Sequence, residues 1–320
     1  MLIPALVLMA ALAGWPAPAQ SPENGERVVL EYAGAPIRLP FACANEELAA
    51  LGLVCSASSP CPIYLELTTA AEVEGTIFIG GNLHSSSRTL YSVLLASDDG
   101  GMTWTERHER IRWAGLDRIV FHNGSYGWAL GHVLDGRPRN PFFLLTTDGG
   151  RFWRQRRITS EEGIGSVEKF WFDSERSGVV LLDRLYPSET GGRYERYETM
   201  TGAESWMIRE VSADPIRVRE PLTVVEAPAV KLRADSERGA WVVERQEGGG
   251  GLIAAEFLIE AGACAAEEPE LAELPEQPAP PAGGQPLAPG GVFVIGSQPG
   301  PQAPPAAPRQ PPRLKKDQDQ

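Results

Sequence analysis

This 320-residue chain is poor in the groups that usually announce chemistry. It has only four cysteines, and no two of them form a Cys-x-x-Cys pair, which excludes the usual zinc-ribbon spacing. Histidine is equally scarce, with four in all. His122 and His132 stand ten residues apart on either side of a predicted turn, and ordinary strand or surface histidines explain them more simply than a metal pair. There is no Walker loop, no Rossmann glycine set and no Ser–His–Asp order, so nucleotide binding and serine hydrolysis both lack their motifs. Positive charge is short as well. Against 42 acidic residues stand 29 Lys and Arg, and the net charge of −13 repels nucleic acid and anionic membrane alike.

Long apolar runs are missing too. Leu2 to Gly14 is uncharged, but 13 residues are too few to cross a bilayer. Followed by "APA", the run reads as a secretory signal over residues 1–19, without the usual positive leader. The expected location is therefore secreted or periplasmic. An even number of cysteines, Cys43, Cys55, Cys61 and Cys264, suits such an oxidising compartment and suggests two disulfides. No metal-binding, cofactor-binding or catalytic set is expected.

What the sequence does have is a repeat. "SDDGGMTW" (97–104) returns as "TTDGGRFW" (146–153), and in worn form as "TMTGAESW" (199–206). The shared frame is Ser/Thr-x-Asp-x-Gly-x-x-Trp, and the tryptophans Trp104, Trp153 and Trp206 follow at intervals of 49 and 53 residues. A near-constant period of this length is the mark of a solenoid or propeller. The first copy supplies Ser97, Asp99, Gly101, Thr103 and Trp104, and the second Thr146, Asp148, Gly150 and Trp153. The third keeps Thr199 and Trp206 but has Thr201 for the aspartate and Ala203 for the glycine. A β-rich run precedes each copy and charged residues follow each tryptophan, so the pattern is strand, tight turn, strand. Asp98 and Asp99 could be read as cation ligands. A turn accounts for every residue of the frame, since aspartate accepts from backbone N–H groups, glycine supplies positive φ and the indole caps the turn. The third copy loses its carboxylate and keeps its tryptophan, which favours the structural reading.

The frame resembles the Asp-box, or BNR repeat, of sialidases, sortilin-type receptors and the propeller-shaped assembly factors of photosystem II. The resemblance covers roughly residues 60 to 265. It implies a β-propeller in which the box joins the outer strands of a blade, away from the active face. A second echo, "FHNGSYGWAL" (121–130), "FDSERSGVVL" (172–181) and "ADSERGAWVV" (234–243), joins "EVEGTIFIGG" (72–81) to define four units. The expectation is thus an all-β fold, a small propeller spanning 62–265 with blades at about 62–110, 111–160, 164–212 and 223–265. "NEELAALGL" (45–53) is the one good helix.

The fourth unit ends without a box or a following strand, while "ERVVLEYAG" (26–34) is a strand without a unit. Lending it to the last blade would close the ring and bring Cys43 near Cys264, leaving Cys55 with Cys61. A fifth, irregular blade from residues 26–62 is the alternative, and so is an open propeller completed by a partner. Residues 20–61 form an N-terminal strand and cysteine segment. Residues 266–320 hold 14 of the 28 prolines and are expected to be disordered, with "GGVFVIGS" (290–297) as a short β-prone island.

Sialidases set a test. Their Arg-Ile-Pro-type motif has an echo in "IRLP" (37–40), but two more arginines and a tyrosine activated by a glutamate are needed, and "LYPSETGGRYERYE" (185–198) reads as a hairpin. "RQRR" (154–157) reads as a solvated outer strand and "EGGGGL" (247–252) as a hairpin tip. Trp128 and Trp241 are expected in the core, with Trp113 and Trp171 nearer a rim. The function expected from all of this is a non-catalytic scaffold binding a protein or a glycan, with no nucleic-acid partner and no membrane span. A sialidase-like glycoside hydrolase is the alternative.

Overall fold

The computed structural model describes residues 28–265, apart from 42, 44, 161, 188–190, 219–228 and 248–249. The expected signal segment, the expected tail and its 290–297 island lie outside the described residues.

The regular structure of the described part is almost entirely β-strand. After β1 (Val29–Glu31) comes the helix α1 (Asn45–Leu51), within the predicted segment. Four antiparallel meanders follow. The first is β2 (Cys61–Val73), β3 (Thr76–His84), β4 (Thr89–Ser97) and β5 (Thr103–Glu106). The second is β6 (Ala114–Phe121), β7 (Gly127–Asp135), β8 (Arg137–Thr146) and β9 (Arg154–Arg157), the last of these being the "RQRR" stretch. The third is β10 (Ser166–Phe172), β11 (Gly178–Asp183), β12 (Tyr194–Thr199) and β13 (Met207–Ser212). The fourth has three strands, β14 (Val230–Asp235), β15 (Ala240–Glu247) and β16 (Gly250–Leu258). A last strand, β17 (Glu260–Cys264), leaves the fourth sheet and pairs with β2.

Burial explains the strand character. β3 and β4 are buried on both faces and read as continuous apolar runs, "TIFIGGNLH" and "TLYSVLLAS". Three cores result. Ile63, Leu65, Val243 and Phe257 join the first sheet to the fourth. Phe78, Leu94, Leu116 and Phe142 join the first to the second. Trp128, Phe143, Phe170 and Val180 join the second to the third. Among the described residues no apolar cluster spans the third and fourth sheets.

The first and last described strands depart from the expectation. The N-terminal strand is not lent whole to the last sheet. β1 pairs with β5, Leu30 opposite Trp104, and covers the outer edge of the first sheet. The backbone reaches the fourth sheet six residues later, where Ile37 makes a parallel bridge to Phe257. The amide of Ile37 donates to the Glu256 carbonyl at 2.8 Å, and the amide of Leu258 to the Ile37 carbonyl at 2.8 Å. One short segment therefore satisfies two open edges, which a single strand on one sheet would leave half exposed. Nor does the fourth unit end without a strand, since β17 carries it onto β2. Cys264 faces Cys61 in that pairing, and the disulfides are Cys43–Cys264 and Cys55–Cys61, the favoured connectivity. Trp128 is buried, while Trp241 is half-buried with its Nε1–H donating to the Leu65 carbonyl at 2.9 Å.

Candidate functional site

The three repeat turns connect β4 to β5, β8 to β9 and β12 to β13. In the first, the Ser97 hydroxyl donates to Asp99 at 2.8 Å and accepts the Gly101 amide at 2.8 Å. Asp99 also accepts the Thr103 amide at 2.9 Å and the Thr103 hydroxyl at 2.6 Å. Trp104 donates its Nε1–H to the Gly101 carbonyl at 2.9 Å. Partial burial raises the Asp99 carboxyl, and the Thr103 and Ser97 donors outweigh it, holding the group at about 2. The second turn repeats the set. Gly150 donates to Thr146 at 2.9 Å, Phe152 to Asp148 at 3.0 Å, and the Trp153 indole to the Gly150 carbonyl at 3.0 Å.

The third turn keeps the geometry with different atoms. The Thr201 hydroxyl takes the aspartate's place and accepts the Ser205 amide at 3.0 Å, while Thr199 accepts the Ala203 amide at 3.1 Å. Ala203 has φ of +76°, in the left-handed region where its counterparts Gly101 and Gly150 have +107° and +81°. The Trp206 Nε1–H finds no partner. The other side chains of the repeat frame bond within their own turns. No open coordination position results, and among the described residues no three His, Cys, Asp or Glu groups gather as a metal site.

Strands alternate in direction, so the loops β3–β4, β5–β6 and β7–β8 lie at the other end of the sheets. There they enclose a cleft of about 520 Å³ between the first and second sheets, lined by Glu66, Asn82, His84, Arg88, Trp113 and Arg137 among others. Buried Asn82 donates its Nδ2–H to Glu66 Oε2 at 3.0 Å and so orients the carboxylate. His84 donates from Nδ1 to the Ser85 carbonyl at 2.9 Å. Trp113 is 39% exposed at φ of +57°. Bulky residues avoid that region unless the surroundings impose it, and such strain gathers at functional sites. Arg137 continues the surface toward the third sheet, donating to the Tyr186 hydroxyl at 2.6 Å with its guanidinium 5.6 Å from the ring centre.

The residues the sialidase comparison asks for do not meet at this cleft. Arg38 donates to the Glu260 carbonyl at 2.7 Å and does not line it. A tyrosine–glutamate pair does exist, one that sequence reading passed over. Tyr197 donates to Glu195 at 2.7 Å, and Arg184 Nε donates to the same carboxylate oxygen at 2.7 Å. All three side chains are buried in the third sheet. Burial, then the bond to Glu195, pushes the Tyr197 phenol up to about 12, the reverse of what a nucleophile needs. Their alternation in "YERYET" was the available signal, because Glu195 and Tyr197 share a face of β12. His132 is likewise buried, paired through Nδ1 with Asp117, and its Nε2 accepts the Val167 amide at 3.1 Å. Both ring nitrogens are therefore spent on structure. His122 is exposed.

No family model matches the chain, and no curated protein does. Among solved structures, one titled "YCF48 bound to D1 peptide" is similar at 18% identity and a TM-score of 0.33, over 62% of this chain and 55% of that one. The chain thus spans little more than half the length of that protein. Among the described residues no helix is long and apolar enough to cross a membrane.

Proposed function

We propose that the chain is an exported Asp-box propeller of four blades that works as a non-catalytic binding or assembly scaffold for a protein or a glycan. The 1–19 signal and the 266–320 tail belong to this reading. Four successive antiparallel sheets and two disulfides support it, as do three turns whose first Ser/Thr hydroxyl accepts the amide four residues on. The observation that carries the functional part is the division of labour between the two ends of the sheets. At one end Asp99, Asp148 and Thr201 spend their polar atoms on their own turns. At the other, Trp113, Arg88 and Arg137 line an open cleft, continuous with Tyr186. Trp, Tyr and Arg are the residues that dominate binding hot spots.

The test uses the full chain as bait in an envelope extract, with variants at each end. Partners retained by wild type should be lost with Arg137→Ala/Tyr186→Ala and kept with Met102→Ala/Phe152→Ala at the turn end. Loss only with the turn-end variant, or turnover of a glycoside by the purified chain, would refute the reading.

A further inference from the structure

We infer that the cleft between the first and second sheets is a saccharide site that takes one or two neutral sugar units. This rests on the binding reading above and narrows it to a ligand class.

The lining contains a cation and an anion that are not spent on each other. Glu66 is held by Asn82 through Oε2 alone, which leaves Oε1 as an acceptor. Arg88, an exposed residue of the same lining, has its guanidinium beside Gly52 and no hydrogen-bond or ion-pair partner for it among the described residues. The two other charges are partly occupied, Asp135 by Arg139 at 3.6 Å and Arg137 by Tyr186. Two carboxylates and two guanidiniums sum to zero, so the site selects neither an anion nor a cation. What it offers is a fixed acceptor and a fork of donors in one lining, with the His84 ring and the hydroxyls of Ser87 and Thr89 beside them. Vicinal hydroxyls, each both donor and acceptor, bridge such a pair without burying a net charge.

Trp113 supplies the other half of sugar recognition, an apolar ring for the C–H face of a pyranose. Its backbone sits in the left-handed region, and the amide of Trp113 donates to the Leu90 carbonyl at 2.7 Å, fixing the residue at the mouth. Apolar lining is otherwise limited to Leu134 and Pro138, too little for a lipid or other greasy ligand. The volume of about 520 Å³ lies in the range of small-ligand clefts. A zwitterionic peptide could also span Glu66 and Arg88. Both groups are exposed, though, and exposed ion pairs contribute only about 0–1 kcal/mol, so hydroxyl bonding with stacking is the stronger match.

The experiment titrates full-length protein by calorimetry with cellotriose, maltotriose, chitotriose and mannotriose, together with 3′-sialyllactose and triglycine. At least one neutral trisaccharide should bind with Kd below about 1 mM. Trp113→Ala should weaken it about tenfold or more and Arg88→Ala about fivefold, while Phe152→Ala leaves it unchanged. Arg88 is an exposed turn residue, so its variant keeps the test meaningful even if Trp113→Ala unfolds. The inference falls if no neutral sugar binds, if only sialyllactose or triglycine binds, or if Arg88→Ala and a folded Trp113→Ala bind as wild type. A blank sugar panel beside a retained, cleft-dependent protein partner would end the saccharide assignment and leave the scaffold reading standing. Loss of both would end both.

Discussion

Cys43 and Cys264 are 221 residues apart in sequence and bonded to each other where the two ends of the fold meet on the first sheet. Ahead of Cys43, β1 covers β5 and Ile37 bridges β16. Ahead of Cys264, β17 runs along β2. The bond therefore ties together the first and last parts of the described fold.

The chain-entropy model gives a loop of this length about 5 kcal/mol, against about 2 kcal/mol for the six-residue separation of Cys55 and Cys61. Replacing Cys43 and Cys264 by serine should therefore lower the guanidinium midpoint far more than replacing Cys55 and Cys61. Equal losses would mean that the closure holds without the bond.

The turns make opposite predictions for glycine and alanine. A Cβ on Gly101 would sit 2.3 Å from the Ala254 carbonyl oxygen, and φ there is +107°. Gly101→Ala should cost several kcal/mol, because both backbone strain and a clash with main chain must be relieved. At the matching place in the third turn, Ala203→Gly should stabilise by about 1 kcal/mol by removing left-handed strain. Urea unfolding of the two variants checks both signs.

Acid stability should depend on Asp99. Its carboxyl is held at about 2 in the folded chain, below the ordinary 3.8. The stability it lends is present above about pH 4 and is lost as pH falls through 2. Asp99→Asn should melt lower at pH 7, by about 1 kcal/mol or more, and lose less between pH 4 and pH 2 than wild type. Parallel acid profiles for the two proteins would contradict this.

The buried Arg184–Glu195–Tyr197 group predicts the alkaline side. Tyr197 is raised to about 12 by burial first and by Glu195 second, so its contribution is full below about pH 10 and is lost as pH rises through 12. Tyr197→Phe should flatten that loss. Glu195→Ala leaves Arg184 buried without its carboxylate and should cost about 3–5 kcal/mol. Thermal melts from pH 8 to 12 distinguish these outcomes from a surface role for the group.

Much of the framework was readable because it is local. Ser97 to Trp104 hold one another by bonds spanning two to four residues, so spacing alone reveals the turn. The disulfides were readable because three cysteines cluster and one stands alone. The destination of β1 was not, since an edge strand pairs through its backbone and its side chains do not name the sheet. Thr201 could not be recognised as the aspartate's stand-in, because a hydroxyl replaces a carboxylate only once the Ser205 amide is in place. The cleft was hidden for a similar reason. Glu66, Arg88, Trp113 and Arg137 come from four separate stretches, and only the packing of two sheets brings them together.

The division between structural turns and a binding end is tested most directly by measuring melting temperature and partner binding together in Asp99→Ala and Arg137→Ala/Tyr186→Ala. The account predicts that the first lowers the melting temperature and leaves binding per folded molecule unchanged, while the second leaves the melting temperature and abolishes binding. If Asp99→Ala abolished binding in protein that melts as wild type does, the turns would be the functional face and the account would be wrong.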